Sequence, residues 1–206
     1  MILGMVGKAR SGKDTFNMYL LDALCDIYGK EFKEFAVIAF AQELKSMCMK
    51  HFGLLYDQVY GNSKEVVDKR YKKPNGDYWT AREIMQAFGE FYRTIDYDYW
   101  VNLVGEMIDA NPDANYVITD VRHRNESDFV KNKGGILIKI VRKDLIEIHG
   151  MDHISEIALD DMPDNYFDIT INNDGSLEDL QVAAYQTAKF ILKIEKLKSE
   201  GEIYNG

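Results

Sequence analysis

Apolar residues along the chain fall into two kinds of run. Short unbroken ones, Met1-Ile2-Leu3-Gly4-Met5-Val6, Tyr116-Val117-Ile118-Thr119, Ile136-Leu137-Ile138-Lys139-Ile140-Val141 and Phe167-Asp168-Ile169-Thr170-Ile171, predict strands. Another, Phe35-Ala36-Val37-Ile38-Ala39-Phe40, predicts a strand covered on both faces, as in a parallel sheet flanked by helices. Between them the apolar residues recur at helical spacing. Phe16, Leu20, Leu24 and Ile27 share one face of a helix over residues 14–28 that Gly29 ends, and Leu44, Met47, Cys48 and His51 mark a second over 42–52. Val101, Val104 and Ile108 mark a third that closes near Asn111-Pro112; a short one ends at Gly134-Gly135, and Ser176 caps a long one over 177–198. Strands alternating with helices predict a three-layer α/β domain with a parallel sheet.

Two segments escape this pattern. Residues 54–77 read as a loop of mixed charge, with Lys64, Lys69, Arg70, Lys72 and Lys73 beside Glu65 and Asp68 and a turn at Pro74-Asn75-Gly76-Asp77; a mobile flap over an anionic ligand is the alternative. Residues 143–165 are polar and read as a lid, and its His149 and His153, four apart, lack a third ligand in a metal-binding pattern.

The helix after residues 54–77 opens on Thr80-Ala81-Arg82-Glu83, a capping box in which hydroxyl and carboxylate satisfy free N–H groups reciprocally. At about 100° per residue, Arg82, Gln86, Gly89 and Arg93 fall in one narrow stripe, while Ile84, Met85, Phe88, Phe91 and Tyr92 take much of the rest. Arginine meets phosphate oxygens through two parallel hydrogen bonds, an amide can read a base edge, and glycine admits a ligand close to the backbone. The stripe therefore reads as a surface that receives an anion, against the plainer reading of a solvent-facing stripe.

The most informative stretch comes after the first strand: Gly7-Lys8-Ala9-Arg10-Ser11-Gly12-Lys13-Asp14-Thr15. Glycines framing a strand-to-helix loop let backbone N–H groups turn inward onto an anion at the positive end of the helix dipole, and Lys13 adds a mobile charge for the outer phosphates. Asp14 stands where a serine or threonine usually holds magnesium, with Thr15 next; a carboxylate is also a hard-oxygen ligand. Asp120 closes the strand at 116–119, on the sheet edge where a magnesium ligand or catalytic carboxylate belongs. Arg122, Arg124, Asn125 and Glu126 come directly after it, and Arg142 comes after the strand at 136–141.

A length of 206 residues fits one domain, with 46% hydrophobic and 29% charged residues typical of a globular protein. The net charge of −9 argues against broad nucleic-acid binding, so anionic ligands must find charge concentrated locally. Cys25 and Cys48, each among apolar neighbours, read as buried free thiols in a reducing compartment. The N-terminal apolar run is too short for a signal peptide or a membrane span, no other run reaches membrane length, and a cytoplasmic protein is expected.

Taken in order, G-K-A-R-S-G-K-D-T, T-A-R-E-I-M-Q-A-F-G-E-F-Y-R, D-Y-W-V, I-T-D-V-R-H-R-N-E, G-G-I-L-I-K-I-V-R, D-H-I-S-E and I-N-N-D-G-S-L-E-D-L resemble the deoxynucleoside monophosphate kinases of phages and their bacterial relatives, over most of the chain. Asp14 after the loop lysine is similar to that family and to animal phosphomevalonate kinases. The resemblance implies one kinase domain of the phosphate-loop (P-loop) type over residues 1–206, with an acceptor-binding segment at about 42–105 and a lid at about 143–165. It implies transfer of the terminal phosphoryl group of ATP, with Mg2+, to a deoxynucleoside monophosphate; charge and run lengths predict no nucleic-acid or membrane partner, and pairing of two copies stays open. Donor phosphates would meet Gly7, Lys8, Ala9, Arg10, Ser11, Gly12 and Lys13, and donor adenine the turn with Asn173 and Gly175. Asp14, Thr15 and Asp120 would support the metal, and Lys13, Arg10, Asp120, Arg122 and Arg142 the transfer. Lys45, Arg82, Gln86, Gly89, Arg93, Trp100 and Arg124 would hold the acceptor. Two other readings stay open: a phosphomevalonate kinase-like enzyme, and a nucleotide-dependent switch without an acceptor.

Overall fold

A computed structural model describes residues 1–29, 34–143 and 162–200. In chain order the elements are β1 (Ile2–Val6), α1 (Lys13–Tyr28), β2 (Phe35–Ile38), α2 (Ala41–Phe52), α3 (Tyr56–Val59), β3 (Val67–Lys72), β4 (Tyr78–Thr80), α4 (Ala81–Ile95), α5 (Tyr99–Ala110), β5 (Asn115–Val121), α6 (Arg124–Asn132), β6 (Ile136–Val141), β7 (Ile169–Asn172) and α7 (Leu177–Ser199). Single 3-10 turns lie at Asn62–Glu65 and Asp164–Tyr166. They group into two compact units, one made of Met1–Ala39 with Ile108–Gly206 and the other of Phe40–Met107.

The first unit holds a five-stranded sheet in the order β2-β5-β1-β6-β7, every neighbour parallel. Strand alternation sends Leu3 and Met5 to one face, where they join Phe16, Leu20 and Leu24 of α1, Ile138 and Ile140 of β6, and Ala184, Ala188 and Ile191 of α7 in one buried cluster. Phe16, Leu20 and Leu24 are at 0% exposure, and burying each contributes about 1.5–3 kcal/mol. Gly4 turns to the other face, beneath α6. A Cβ there would stand 2.9 Å from Leu137 Cδ2 and 3.1 Å from Val130 Cγ1, so only glycine lets α6 lie this close to the sheet. Helices on both faces make the three-layer α/β architecture expected of a P-loop kinase.

The strand at 35–40, Cys25 and Ile27 depart from expectation. The strand at 35–40 is not covered on both faces: β2 is an edge strand with Ala36 and Val37 exposed, because β5 is its only neighbour among the described residues. Cys25 is exposed while Cys48 is buried. Ile27 is 37% exposed, since the last turn of α1 runs past the core.

The second unit packs α2, α3 and α4 with the antiparallel hairpin β3–β4 around Cys48, Leu54, Val59, Ala81 and Ile84. Residues 54–77, expected to be a loop, thus carry a short helix, a 3-10 turn and a strand. The predicted turn is the hairpin's: Gly76 has φ 97°, its N–H donates to the Lys73 carbonyl (3.0 Å), and the Lys73 N–H donates to the Asp77 carbonyl (2.7 Å). The capping box of α4 forms as expected, with Glu83 N–H on Thr80 Oγ1 (3.2 Å) and Thr80 N–H on Glu83 Oε2 (2.8 Å). Most of the lid proposed at 143–165, with His149 and His153, lies outside the described residues. No helix among the described residues is long and apolar enough to cross a membrane.

Candidate functional site

The connections place one sheet edge at the centre. From β1 the chain runs to β2 on one side through α1, then returns by way of β5 and crosses to β6 and β7 on the other side, so the order of the strands reverses at β1. In a parallel sheet the crevice beyond the strand ends at such a reversal is where ligands bind. Beyond the end of β1 lie the loop 7–12 and the start of α1. Beyond the ends of β5, β6 and β7 come Arg122, Arg142 and Asn173.

The loop is shaped by close approaches. A Cβ on Gly7 would stand 2.7 Å from Ser11 Oγ and 2.9 Å from the Ile140 carbonyl oxygen. Arg10 (φ 64°) and Gly12 (φ 88°) both take the left-handed conformation, which an arginine tolerates only where its surroundings fix it. The Ser11 N–H donates to the Lys8 carbonyl (3.1 Å), tightening the turn. Backbone that alternates hands in this way makes a concavity for anions, and α1 adds its dipole. Ser11 Oγ is buried and has no hydrogen-bond partner among the described residues, an orphaned donor inside the cradle.

Lys13 is the first residue of α1. Its side chain is 13% exposed and its Nζ donates to Asp14 Oδ1 (2.9 Å), whereas Asp14 is 91% exposed. Asp14 therefore stands at the open side of the loop as the counter-ion of the lysine. Asp120 lies inside β5 and not after its end. Between Gly4 and Val6 of β1 the partner strand advances from Ile118 to Val121, one residue more, so Thr119 and Asp120 sit at a bulge. Bulges beside ligand sites re-aim side chains.

Arg122 comes directly after β5. Its backbone is held by Glu126, whose Oε2 accepts the N–H groups of Arg122 (2.8 Å) and His123 (3.1 Å). Glu126 is 2% exposed, and its motif alone gives it no task. A glutamate three residues after the residue that precedes a helix is the sequence mark of such a clamp. Arg124 is 53% exposed, pairs with Asp128 (3.2 Å) and lies over the Tyr166 ring at 5.0 Å. Arg142 is exposed at the end of β6. Asn173 is buried, and its Nδ2 donates to the Ser11 carbonyl (2.8 Å). Gly175 sits against Asp179, which accepts from Ser176 N–H (2.9 Å) as Ser176 caps α7.

In the second unit α4 carries the stripe. Arg82, Gln86 and Arg93 are half-buried and Gly89 is buried, while Ala87, Glu90, Phe91 and Thr94 are exposed. The stripe is thus a sheltered surface and not the solvent face of the helix. Arg82 is ion-paired with Glu65. Gly89 brings α4 against α2, where a Cβ would meet Leu44 Cδ2 at 3.2 Å and Arg93 Nη1 at 3.5 Å. Trp100, expected to touch the acceptor, is 2% exposed and its Nε1 donates to the Gly89 carbonyl (3.1 Å), which makes it a core residue. Lys45 lies over the Tyr60 ring at 5.0 Å. The Glu65 partner of Arg82 is not visible in the sequence, because a contact over seventeen positions leaves no mark in local periodicity.

No group of three His, Cys, Asp or Glu side chains that could enclose a metal exists among the described residues. Magnesium does not need one. It is usually held by one or two carboxylates together with substrate phosphates and water, and the hard oxygens of Asp14, Thr15 and Asp120 fit that requirement.

The family model for deoxynucleotide monophosphate kinases matches residues 34–183. A protein of Acanthamoeba polyphaga mimivirus, provisionally named deoxynucleotide monophosphate kinase, is 29% identical over 195 residues, 87% of this chain and 91% of its own length. The deoxynucleotide monophosphate kinase of Enterobacteria phage T4 is 31% identical over 121 residues, 56% of this chain and 48% of the phage protein. That of Escherichia phage RB69 is 34% identical over 110 residues, 50% and 43% respectively, so the chain matches about half the length of the two phage enzymes. Among solved structures, dephospho-CoA kinase from Campylobacter jejuni is 16% identical with a TM-score of 0.43, covering 92% of this chain and 96% of that one. The phosphomevalonate and switch readings gain nothing from these relatives. With a family model matched over well over half of its length, the chain belongs to the deoxynucleotide monophosphate kinase family.

Proposed function

We propose that the chain transfers the γ-phosphoryl group of ATP to the phosphate of a deoxynucleoside monophosphate, giving the deoxynucleoside diphosphate and ADP, and that the loop 7–15 holds the donor. The observation that carries this reading is the cradle itself: a glycine-framed loop at the sheet's reversal point, two left-handed residues, an orphaned buried hydroxyl, and a lysine drawn almost out of solvent at the start of a helix.

The chemistry asks the protein for position and charge. An acceptor phosphate oxygen attacks the γ-phosphorus as the bond to the β–γ bridging oxygen breaks, and ADP leaves with the electron pair. Little covalent work falls to side chains, and the barrier is lowered by holding the reactants and neutralising the oxygens. Gly7, Lys8, Ala9, Arg10, Ser11 and Gly12 offer N–H groups to the donor phosphates, and Lys13 leaves Asp14 to reach them. Arg10, Arg122 and Arg142 neutralise the group in transit, with Glu126 fixing the backbone of Arg122. Asp14, Thr15 and Asp120 would hold magnesium, which when bound would supply further neutralisation of the phosphate charge. Asn173 and Gly175 border the donor end, and Arg124 belongs to the same sheet edge.

On the second unit, Arg93 and Arg82 receive the acceptor phosphate, Gln86 lies near its base, and Lys45 adds charge. Arg82 must exchange Glu65 for phosphate, and this half-exposed pair is weak enough to permit it. The reaction belongs in the cytoplasm, where ATP and deoxynucleotides are found.

The test is ADP release from ATP and magnesium, alone and with each deoxynucleoside monophosphate. Release should be fast only when an accepted monophosphate is present, and Arg93→Ala should raise the Michaelis constant for that monophosphate more than the one for ATP. Equal release without acceptor would make the protein a hydrolase or switch.

A further inference from the structure

The phosphate loop does not stand by its own turn alone. Asn173, the residue after β7, is 9% exposed, and its backbone N–H donates to the Val141 carbonyl (2.7 Å) at the end of β6. Its side chain reaches across a separation of 162 positions to donate from Nδ2 to the Ser11 carbonyl at 2.8 Å. The same amide nitrogen packs against Gly12, where a Cβ would overlap it. Ser11 and Gly12 immediately precede Lys13, so the contact falls on the hinge between loop and helix.

One peptide is fixed by this contact. The Ser11 carbonyl and the Gly12 N–H belong to the same planar trans unit and point in opposite directions, so a donor that pins the carbonyl also sets where the N–H points. Asn173 is itself rigidly placed. The next residue, Asp174, accepts the Lys143 N–H (2.8 Å), and Ser176 with Asp179 caps α7 just beyond. The ends of β6 and β7 are thereby coupled to the loop through a single amide.

We infer that Asn173 is a positioning residue for the donor phosphates: it holds the Ser11–Gly12 peptide in its receiving orientation through its Nδ2 bond to the Ser11 carbonyl and its seat on Gly12. This rests on reading the loop 7–15 as the donor site. It differs from a contact of Asn173 with donor adenine, since a brace acts on any ligand whose polyphosphate occupies the loop, with or without a base.

Asn173→Asp keeps the shape, removes the donor and sets a carboxylate against a carbonyl; Asn173→Ala removes the donor without adding charge. Both are made in the full chain, and thermal unfolding reports which of them folds. Calorimetric titration then compares ATP with inorganic tripolyphosphate. Loss of a buried hydrogen bond with its partner left unsatisfied weakens both ligands by similar factors, roughly ten- to a hundredfold. In turnover, the Michaelis constant for ATP rises and that for the monophosphate stays, a split that general loosening of the fold does not produce. Weakened ATP with unchanged tripolyphosphate overturns the brace in favour of an adenine contact, and no change in either overturns it outright. If the native chain binds neither ligand, the donor-site reading fails separately. Amide exchange of residues 8–13 then decides, with faster exchange in the variants upholding the brace and unchanged exchange removing it.

Discussion

A lysine ammonium carries its charge wherever it stands, so what distinguishes Lys13 is what its side chain can reach. It is nearly withdrawn from solvent at the start of α1, with the exposed Asp14 as its partner. A pair of this kind is readily exchanged when a polyphosphate brings several negative oxygens at once. Removing the ammonium removes an electrostatic stabiliser of the transferring group, and Lys13→Ala should lose at least ~100-fold in turnover with its unfolding temperature little changed. Single-turnover kinetics with saturating ATP is the check, and near-native turnover would take the loop out of the mechanism. Cys25 shows where residue-level reading fails although the signal is present. It lies half a turn from the stripe of Phe16, Leu20 and Leu24, so spacing alone places it outward, as the structure does. Cys48, on the inward side of α2, has its thiol pushed up to about 12 by burial. Trp100 misleads for the opposite reason, since nothing local announces that its N–H will meet the Gly89 carbonyl.

Elements are legible in proportion to how apolar they are. Strands β1, β5 and β6 announce themselves because their burial on both faces requires unbroken apolar runs. Hairpin strand β3, Val67–Lys72, does not, because its inward-facing Asp68 is polar. That carboxylate accepts from Arg70 Nε (2.9 Å), Arg70 N–H (3.1 Å) and Gln58 Nε2 (3.3 Å). The Arg70 guanidinium, acting against burial, holds its pKa well below the usual carboxylate range. A depressed carboxylate pKa stabilises the fold fully above the unfolded value of about 4 and loses that contribution as pH falls through the folded value. The hairpin's stability should therefore be flat from neutral pH down to about 4 and decline in stronger acid. Asp68→Asn should remove that declining limb, as read by amide exchange of residues 67–80 against pH. An unchanged acid limb in the variant would assign the decline to other groups. The predicted turn at 74–77 is the one readable sign of this hairpin, with Gly76 left-handed as the turn demands.

At the scale of the whole molecule, alternating strands and helices make the layers readable, and right-handed crossovers leave few ways to order five parallel strands. Which strand neighbours which is not readable, since pairing over more than a hundred positions, as between Leu3 and Val117, leaves no periodic trace. The same limit hides the link from Asn173 to Ser11. Net charge tells a matching story. A chain of −9 collects Lys8, Arg10 and Lys13 in its phosphate loop and puts Arg122 and Arg142 at neighbouring strand ends, so its ligand is read from local concentration and not from the total. The γ-phosphoryl group of ATP is expected to end on a deoxynucleoside monophosphate. The most direct measurement tracks radiolabel from the γ-position of ATP in the presence of each monophosphate, with products separated by chromatography. Label should move into the deoxynucleoside diphosphate, in step with ADP formation; label recovered only as inorganic phosphate, or left on ATP with every acceptor, would rule this transfer out.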